Sequence, residues 1–213
     1  MKIIKAGYEI LTAIDGLGIL KHIERIGRVC YKSEDKITDD SCVAFVKRLI
    51  ANGHEAMIEH YSFSVKFICD RGVSHEIVRH RIAAFAQEST RYCNYSKDQF
   101  GKEITVIDPL FFDSVDGDLR KTELRDRWEK GCKAAESAYF QLLDCGATPQ
   151  EARAVLPNST KTEIVMTANL REWRHFFKLR TAKTAHPQMR EITRPLLLEL
   201  QGLIPVIFDD IHF

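Results

Sequence analysis

Three features of the sequence predict an α+β fold with a largely antiparallel sheet flanked by helices. Helical patterns outnumber strand patterns, the two do not alternate as in a parallel βαβ fold, and one segment has apolar residues at every second position. The 213 residues contain no internal repeat and no linker rich in Pro, Gly or Ser. We therefore expect one domain spanning residues 1–213.

The first third of the chain predicts a strand and two helices. Residues 3–11 form a short strand candidate, and apolar residues recur at helical spacing over residues 19–30. A second helix is predicted to start after Thr38, whose hydroxyl can cap it, and to end at Asn52-Gly53.

The middle of the chain contains the strongest strand pattern. Over residues 61–69, every second residue is Tyr, Phe, Val or Cys and these share one face, while Ser62, Ser64 and Lys66 lie on the other. After Asp70-Arg71-Gly72, a helix is predicted from near Ser74 through Arg79-His80-Arg81. A brief strand follows at residues 104–107.

Two helices are predicted next. Apolar residues step by three and four from Leu124 to Leu142, and Gly146 stands where a helix-ending glycine belongs. The segment Thr148-Pro149-Gln150-Glu151 combines a capping Thr, a Pro at the first helical position and a Glu that completes a capping box, so a short helix should carry Arg153.

Three elements complete the prediction. Residues 162–168 form a strand, and Asn169 with Glu172 three residues later opens a helix. The last helix starts near Pro187, and Pro195 inside it predicts a kink or a break.

Composition excludes several classes of protein. Lys and Arg total 31 against 30 Asp and Glu, so no net charge is available to hold nucleic acid nonspecifically. No apolar run approaches the roughly 20 residues that span a bilayer, and the first residues lack the features of a secretory signal. The six cysteines include no C-x-x-C pair, which disfavours a disulfide framework or a zinc ribbon. We expect a cytoplasmic protein with no membrane partner and no bound metal.

Two histidine pairs superficially resemble zinc motifs. His54 and His60 are six residues apart, and His75 and His80 are five apart, whereas a helical zinc site needs a spacing of four. The spacing therefore disfavours a metal hydrolase.

A basic cluster is formed by Arg79-His80-Arg81 and Arg91, which small apolar residues separate. Arginines in apolar surroundings need anionic partners, because burying an unpaired charge is costly. Either a structural salt-bridge cluster or a phosphate or dinucleotide site would satisfy this requirement. In the second case Gln87, Ser89 and Thr90 would complete the hydrogen bonds.

The helix over residues 169–180 has an unusual charge pattern. Arg171, His175 and Lys178 fall within about 60° of one another and form a basic stripe. Arg180 projects about 180° from Arg171, on the apolar side of its own helix. It either extends to solvent from the helix end or is held in a pocket and aimed at a ligand.

Ser89 is a weak candidate for a nucleophile. Its neighbours are mainly arginines, which accept no proton, so no base stands ready to activate it. His54 directly follows the helix-ending Gly53, a position where a histidine more often caps or packs than catalyses.

The segment Arg79-His80-Arg81, seven residues and then Ser89 resembles the R-H-R-x7-S signature of the flavin-dependent thymidylate synthases. Further segments occur in the family's order, namely Asn52-Gly53-His54-Glu55, Glu59-His60, Ala152 to Pro157, Asn169-Leu170-Arg171, and Leu179-Arg180 with His186 downstream. The resemblance covers most of the chain from His54 to Arg190.

The resemblance implies a homotetramer with FAD bound where subunits meet and dUMP as the substrate. The residues implied to contact FAD are Ala56, Arg79, His80, Arg81, Gln87, Asn169, Arg171 and His175. The residues implied to line the dUMP site are Glu76, Arg79, Gln87, Glu88, Ser89, Arg91, Arg153 and Arg180. The implied catalytic residues are Arg180 beside the uracil, His54 near the flavin, and Ser89 as a nucleotide ligand.

The implied reaction converts dUMP to dTMP with methylenetetrahydrofolate as the one-carbon donor and NADPH as the reductant of FAD. It uses no enzyme nucleophile, because an arginine beside the uracil can stabilise the charge left when N3 loses its proton. The sequence departs from many family members at Ala84, where they have Ser, and at Glu76, where they have an amide. Both departures concern contacts to nucleotide or folate.

Two alternatives remain open at this point. A protein with the same fold and flavin could hydroxymethylate dUMP, which only the product would reveal. More remotely, the segments rich in Arg and aromatic residues could form a nucleic-acid-binding module, although the net charge of +1 disfavours it.

Overall fold

A computed structural model describes residues 1–96 and 101–213 and has a mixed helix-and-sheet fold. The strands in this part of the chain are β1 (Lys2–Ile4), β2 (Gly7–Ile10), β3 (Ser62–Asp70), β4 (Ala83–Gln87), β5 (Thr105–Ile107) and β6 (Lys161–Asn169). The α-helices are α1 (Gly16–Val29), α2 (Ser41–Ala51), α3 (Arg71–Ile77), α4 (Asp118–Asp144), α5 (Pro149–Ala152), α6 (Leu170–Arg180) and α7 (Pro187–Leu203).

The strands form two sheets. Four of them are ordered β2-β3-β6-β4, and β1 pairs with β5 in parallel. Backbone hydrogen bonds join Leu170 to Tyr61 near one end of β3 and Arg71 to Thr160 near the other, so β3 and β6 run antiparallel. The predicted α+β class with an antiparallel sheet is confirmed, whereas the parallel pair was not predicted.

The residues group into two compact units. Unit 1 comprises Met1–Gly7, Phe67–Arg79 and Ala86–Ile164, and unit 2 comprises Tyr8–Lys66, His80–Phe85 and Val165–Phe213. The single domain over residues 1–213 remains a prediction.

An aromatic cluster centred on α6 forms part of the core of unit 2. The indole of Trp173 stacks on the ring of Phe63 with centroids 4.8 Å apart, and its Nε1 donates a hydrogen bond to the Phe63 carbonyl. Phe176 and Phe177 pack against Trp173, and all four side chains are buried. This packing fixes one face of α6 inward, so the opposite face is available to line a site.

The core of unit 1 forms around the long helix α4. Tyr139 and Cys132 of that helix pack with Ile104, Val106 and Tyr95. The predicted inward face is therefore confirmed at Cys132 and Tyr139, whereas Leu142 at its end is 36% exposed and Leu143 packs on the cluster instead.

Several predicted helix ends are confirmed. The Asn169 side chain accepts a hydrogen bond from the Glu172 backbone N–H at 2.9 Å, and the Thr148 N–H donates to the Glu151 carboxylate at 2.8 Å in a capping box. Gly146 follows α4 with φ +92°, a conformation that only glycine adopts without strain.

Two predicted helix starts are wrong. Asp40, not Thr38, is the residue before α2, and the Thr38 hydroxyl instead donates to the Asp40 carboxylate. Helix α3 begins at Arg71 rather than near Ser74, because the Asp70 carboxylate accepts a hydrogen bond from the Val73 N–H at 2.6 Å.

Two further differences concern the interior of elements. Helix α3 ends at Ile77, so Arg79-His80-Arg81 lies in a loop that leads into the unpredicted strand β4. Of the kink or break predicted at Pro195, the break is wrong, because α7 continues past it to Leu203. Within the described residues, we find no helix long and apolar enough to cross a membrane.

Candidate functional site

A cavity of about 530 Å³ lies within unit 2 along the outward face of α6. Its lining residues are Glu55, Glu59, Ile82, Asn169, Arg171, Glu172, Arg174, His175 and Lys178. The predicted basic stripe of Arg171, His175 and Lys178 therefore forms one wall of the cavity. Because the other face of α6 is buried in the aromatic cluster, this wall has a fixed orientation.

Acidic residues from a 3-10 helix over Glu55–His60 face the basic wall. The Arg171 guanidinium contacts the Glu59 carboxylate at 2.5 Å and lies 3.7 Å from Glu55. Glu55 also accepts a hydrogen bond from Arg174 at 3.1 Å. The cavity therefore combines cations with paired carboxylates rather than presenting an unbroken positive surface.

A chain of three polar side chains runs through the buried end of this region. The Glu172 carboxylate lies 2.9 Å from Nδ1 of His80, and Nε of Arg180 donates to Nε2 of His80 at 3.0 Å. His80 and Glu172 are buried, whereas Arg180 is partly buried. Of the two interpretations offered for Arg180, the structure favours a side chain held by a specific contact.

The hydrogen bonds define the protonation state of His80. A guanidinium nitrogen only donates, so Nε2 is the acceptor and the imidazole is neutral with its proton on Nδ1, facing Glu172. Burial lowers the pKa of His80, the hydrogen bond to Glu172 opposes this, and the positive charge of Arg180 lowers the pKa again. The geometry and the direction of the pKa shift agree.

His80, Glu172 and His175 offer three potential ligand atoms within 4.8 Å of one another. A metal there would have to displace Arg180 or Glu172, since both ring nitrogens of His80 are engaged. The donor set therefore fits a hydrogen-bond relay better than a metal centre.

Other residues predicted for the flavin are exposed. His54 precedes the 3-10 helix but makes no side-chain capping hydrogen bond to it, and its backbone N–H bonds to the Leu49 carbonyl. The side chains of Ala56 and Arg81 are exposed as well. None of these three residues lines the cavity.

The residues predicted for the nucleotide lie largely in unit 1. The Gln87 amide donates to the hydroxyls of Ser74 at 2.9 Å and Thr162 at 3.2 Å. Glu88 accepts a hydrogen bond from Lys161 at 3.1 Å, and Lys161 also contacts Glu163 at 2.6 Å. The position of Glu88 is therefore fixed by a cation that was not predicted.

Ser89 and its neighbours form a turn after β4. The Ser89 hydroxyl accepts a hydrogen bond from the Arg91 backbone N–H at 3.3 Å, and in the described part of the chain no base contacts it. Arg153 donates to the Thr90 hydroxyl at 3.4 Å, and the Arg91 guanidinium lies over the Tyr92 ring. These contacts bring Arg153 to the segment that carries Ser89 and Arg91.

The remaining predicted residues are Glu76, which is partly buried in α3, and Arg79, which is exposed. Arg81 and Arg91 are exposed too, so the expectation that the arginine cluster is desolvated is wrong within the chain. Of the Arg79-His80-Arg81 segment, only His80 is buried.

Sequence reasoning missed several residues that line or support the site. Lys178 was identified in the basic stripe but not assigned a role, and Glu55 and Glu59 lie in the motif segments that carry the resemblance. Lys161 and Arg174 gave no signal, because a lone cation at a strand or helix position is ordinary in any sequence.

Comparison with known proteins agrees with the family resemblance found in the sequence. A family model described as thymidylate synthase complementing protein matches residues 14–206. The flavin-dependent thymidylate synthase of Geobacter sulfurreducens is 34% identical over 192 residues, covering 86% of this chain and 78% of the relative. That of Corynebacterium aurimucosum is 35% identical over 202 residues, covering 89% and 79%.

Solved structures share the fold. The UMP/dUMP methylase PolB from Streptomyces cacaoi, bound with 5-Br dUMP, superposes with a TM-score of 0.81 at 21% sequence identity. The match covers 98% of this chain and 96% of that one. At this identity the likeness concerns the fold.

Proposed function

This chain is a member of the flavin-dependent thymidylate synthase family, and on this premise we propose that it methylates dUMP to dTMP with FAD as its flavin. The observation that carries the proposal is the family match over residues 14–206, a range that contains every predicted site residue.

The cavity beside α6 fits part of a flavin dinucleotide. Lys178 can contact a diphosphate, and Arg171 can do so by exchanging its contact with Glu59 for a phosphate oxygen. Asn169 can hydrogen-bond to a ring or a ribose. Ile82, which is 71% exposed, offers an apolar contact for a flat ring. We assign these residues to FAD together with the other residues that the family resemblance implies, with His80 contributing through its backbone because both of its ring nitrogens are engaged.

The nucleotide site is proposed around the turn after β4. Arg91 and Arg153 are the candidates for the phosphate of dUMP, and the contact of Arg153 with Thr90 supports grouping them. Neighbouring hydroxyls hold the side chain of Gln87, and Lys161 holds that of Glu88. Side chains with fixed positions favour specific hydrogen bonds to a nucleotide.

Arg180 is proposed to face the uracil ring. A guanidinium beside the ring stabilises the negative charge that forms when N3 loses its proton, and C5 then becomes electron-rich without an enzyme nucleophile. Bound FAD, reduced by NADPH, supplies the reducing equivalents that convert the one-carbon unit of methylenetetrahydrofolate into the methyl group. Ser89 acts in this scheme as a nucleotide ligand.

The proposed assembly is a homotetramer in the cytoplasm. Arg79 and Arg81 are exposed and form no ion pair among the described residues, although both are assigned to FAD. A second subunit could cover these two arginines, with the anionic FAD bound between the subunits. The cofactor and the second subunit would then provide the partners that both charges lack in the isolated chain.

The proposal is tested with purified protein. We expect a yellow protein, or one that becomes yellow on reconstitution with FAD, whose absorption is bleached by NADPH. With dUMP, methylenetetrahydrofolate and NADPH it should form dTMP, identified by mass and retention against standards. A protein that cannot be loaded with FAD, or one that forms hydroxymethyl-dUMP as its final product, would contradict the assignment.

A further inference from the structure

The two ends of α6 carry a carboxylate and a guanidinium that meet on one imidazole. Glu172 and Arg180 are eight residues apart, which places their backbones about 12 Å apart along the helix axis. The His80 ring lies between them, 2.9 Å from the carboxylate oxygen and 3.0 Å from Nε of the arginine. Two long side chains and one planar ring are needed to span this distance.

The ring of His80 is fixed on its faces as well as at its nitrogens. Phe176 packs against it edge-on with centroids 4.9 Å apart, and the His175 ring lies 5.5 Å away in a similar arrangement. His80 is only 4% exposed. Rotation of the ring would therefore break both hydrogen bonds and disturb the packing with Phe176.

The contact with Glu172 determines which ring nitrogen of His80 carries the proton, and this in turn determines the contact with Arg180. The carboxylate accepts a hydrogen bond from Nδ1–H of His80, which leaves the lone pair of Nε2 directed at the Arg180 Nε–H. If the other tautomer formed, Nε2–H would face a second donor and the contact with Arg180 would become repulsive. Glu172 is 7% exposed, so little water can compete with His80 for its carboxylate.

We propose that Glu172 is a positioning residue for Arg180, acting through the neutral Nδ1–H tautomer of His80. The inference rests on the proposed function, in which Arg180 stabilises the N3 anion of the uracil. Glu172 does not touch the nucleotide in this scheme. It selects the tautomer that aligns the guanidinium before dUMP binds.

The alternative is a purely structural ion-pair network that stabilises α6. The two roles differ in one measurable respect. A positioning residue affects the chemistry only through Arg180, so removing Glu172 should cost nothing once the Arg180 contact is already lost. A structural residue should add its own cost in either background.

The central experiment is a double-mutant cycle on single-turnover dTMP formation at saturating dUMP and with FAD loaded. Glu172→Ala should slow the step on the order of ten- to a hundredfold, the range expected when a catalytic group is misaligned. Glu172→Gln, whose amide oxygen can still accept from Nδ1–H, should recover most of the rate. Arg180→Lys keeps a cation but lacks the Nε donor, and Glu172→Ala should change its rate by less than about twofold.

A matched control is Glu24→Gln. Glu24 is a buried carboxylate in the same unit that accepts hydrogen bonds from Arg28 and Ser41, away from the site. The Glu24→Gln substitution should alter the free energy of unfolding without altering the single-turnover rate. If Glu172→Ala fails to fold, the same cycle is run with Glu172→Met, which keeps most of the side-chain volume but replaces the carboxylate with a thioether that is only a weak acceptor.

The tautomer is measured independently of activity by long-range ¹H–¹⁵N spectra of histidine-labelled protein, with the His80 signals assigned from His80→Gln. The expected spectrum has Nδ1 protonated and Nε2 unprotonated. The opposite tautomer, or multiplicative losses in the cycle, would overturn the inference while leaving dTMP formation by the wild type intact. A wild type that makes no dTMP would instead overturn the proposed function.

Discussion

Arg174 and Asp210 form a two-point ion pair, in which both terminal nitrogens of the guanidinium reach the carboxylate, at 2.6 and 2.7 Å. The same guanidinium donates to Glu55 and to the Ile207 carbonyl, and its side chain is 2% exposed. The contacts join α6, the acidic 3-10 helix and the C-terminal segment within unit 2. Arg174 therefore holds Glu55 on the wall of the cavity.

Replacing Arg174 should strongly destabilise the protein. We expect Arg174→Leu to lower the free energy of unfolding by about 3 kcal/mol or more, because Glu55 and the Ile207 carbonyl lose a buried partner. Asp210→Asn should cost less, since the Asp210 carboxylate is half exposed. Urea unfolding measures both changes. The exposed Arg48→Leu is the control, and a loss as large as that of Arg174→Leu would contradict the argument.

Removing Arg180 should abolish methylation without releasing the flavin. We expect Arg180→Ala to lower the rate of dTMP formation at least on the order of a hundredfold, the cost of losing one donor to a developing anion. FAD should remain bound, because the cavity residues on α6 are unchanged. Absorbance and product assays measure the two properties. The exposed Lys183→Ala serves as the control, and full activity in Arg180→Ala would refute the role.

Removing Arg91 should weaken dUMP binding rather than the chemistry. A charge-assisted hydrogen bond contributes about 1.5–3 kcal/mol, so Arg91→Ala should raise the half-saturating dUMP concentration roughly ten- to a hundredfold at a similar maximal rate. Arg153→Ala should act in the same direction. Arg127→Ala removes an arginine of unit 1 that pairs with Glu123, and it should leave dUMP saturation unchanged. An unchanged dUMP requirement in Arg91→Ala would exclude a phosphate contact.

Elements with strong local signals could be predicted from the sequence. The alternation over β3 and the capping residues of α5 and α6 depend on neighbours in sequence. The local sequence pattern is therefore sufficient to predict these elements. The strand β4 could not be predicted in this way. Its sequence Ala-Ala-Phe-Ala-Gln has low intrinsic strand preference, and its place beside β6 is decided by tertiary pairing.

The candidate site likewise has a part that the sequence predicts and a part that it does not. The position of Arg180 on the apolar side of its helix follows from helical geometry, and its unusual environment was visible in the sequence. Its partner was not visible, because His80 lies a hundred residues earlier and was expected on a helix rather than in a loop. Contacts between distant segments, such as Lys161 with Glu88, leave no periodic trace in a single sequence.

The buried neutral His80 should make stability depend on pH near neutrality. Its pKa in the folded protein lies below the ordinary value of 6.5, with burial as the largest cause, so the unfolded chain binds a proton that the folded one rejects. The contribution of His80 to the free energy of unfolding is therefore fully present above about pH 6.5. It decreases as the pH drops from there towards the pKa of His80 in the folded protein.

The measurement compares urea unfolding of the wild type and His80→Gln at about pH 7.5 and about pH 5.5. Gln can accept from Arg180 and donate to Glu172 but does not titrate, so the variant should lose less stability over this interval than the wild type. His212→Gln removes an exposed histidine and should keep the slope of the wild type. Equal slopes for the wild type and His80→Gln would mean that His80 carries the same charge in the folded and unfolded states, contrary to the hydrogen bonds on its two nitrogens.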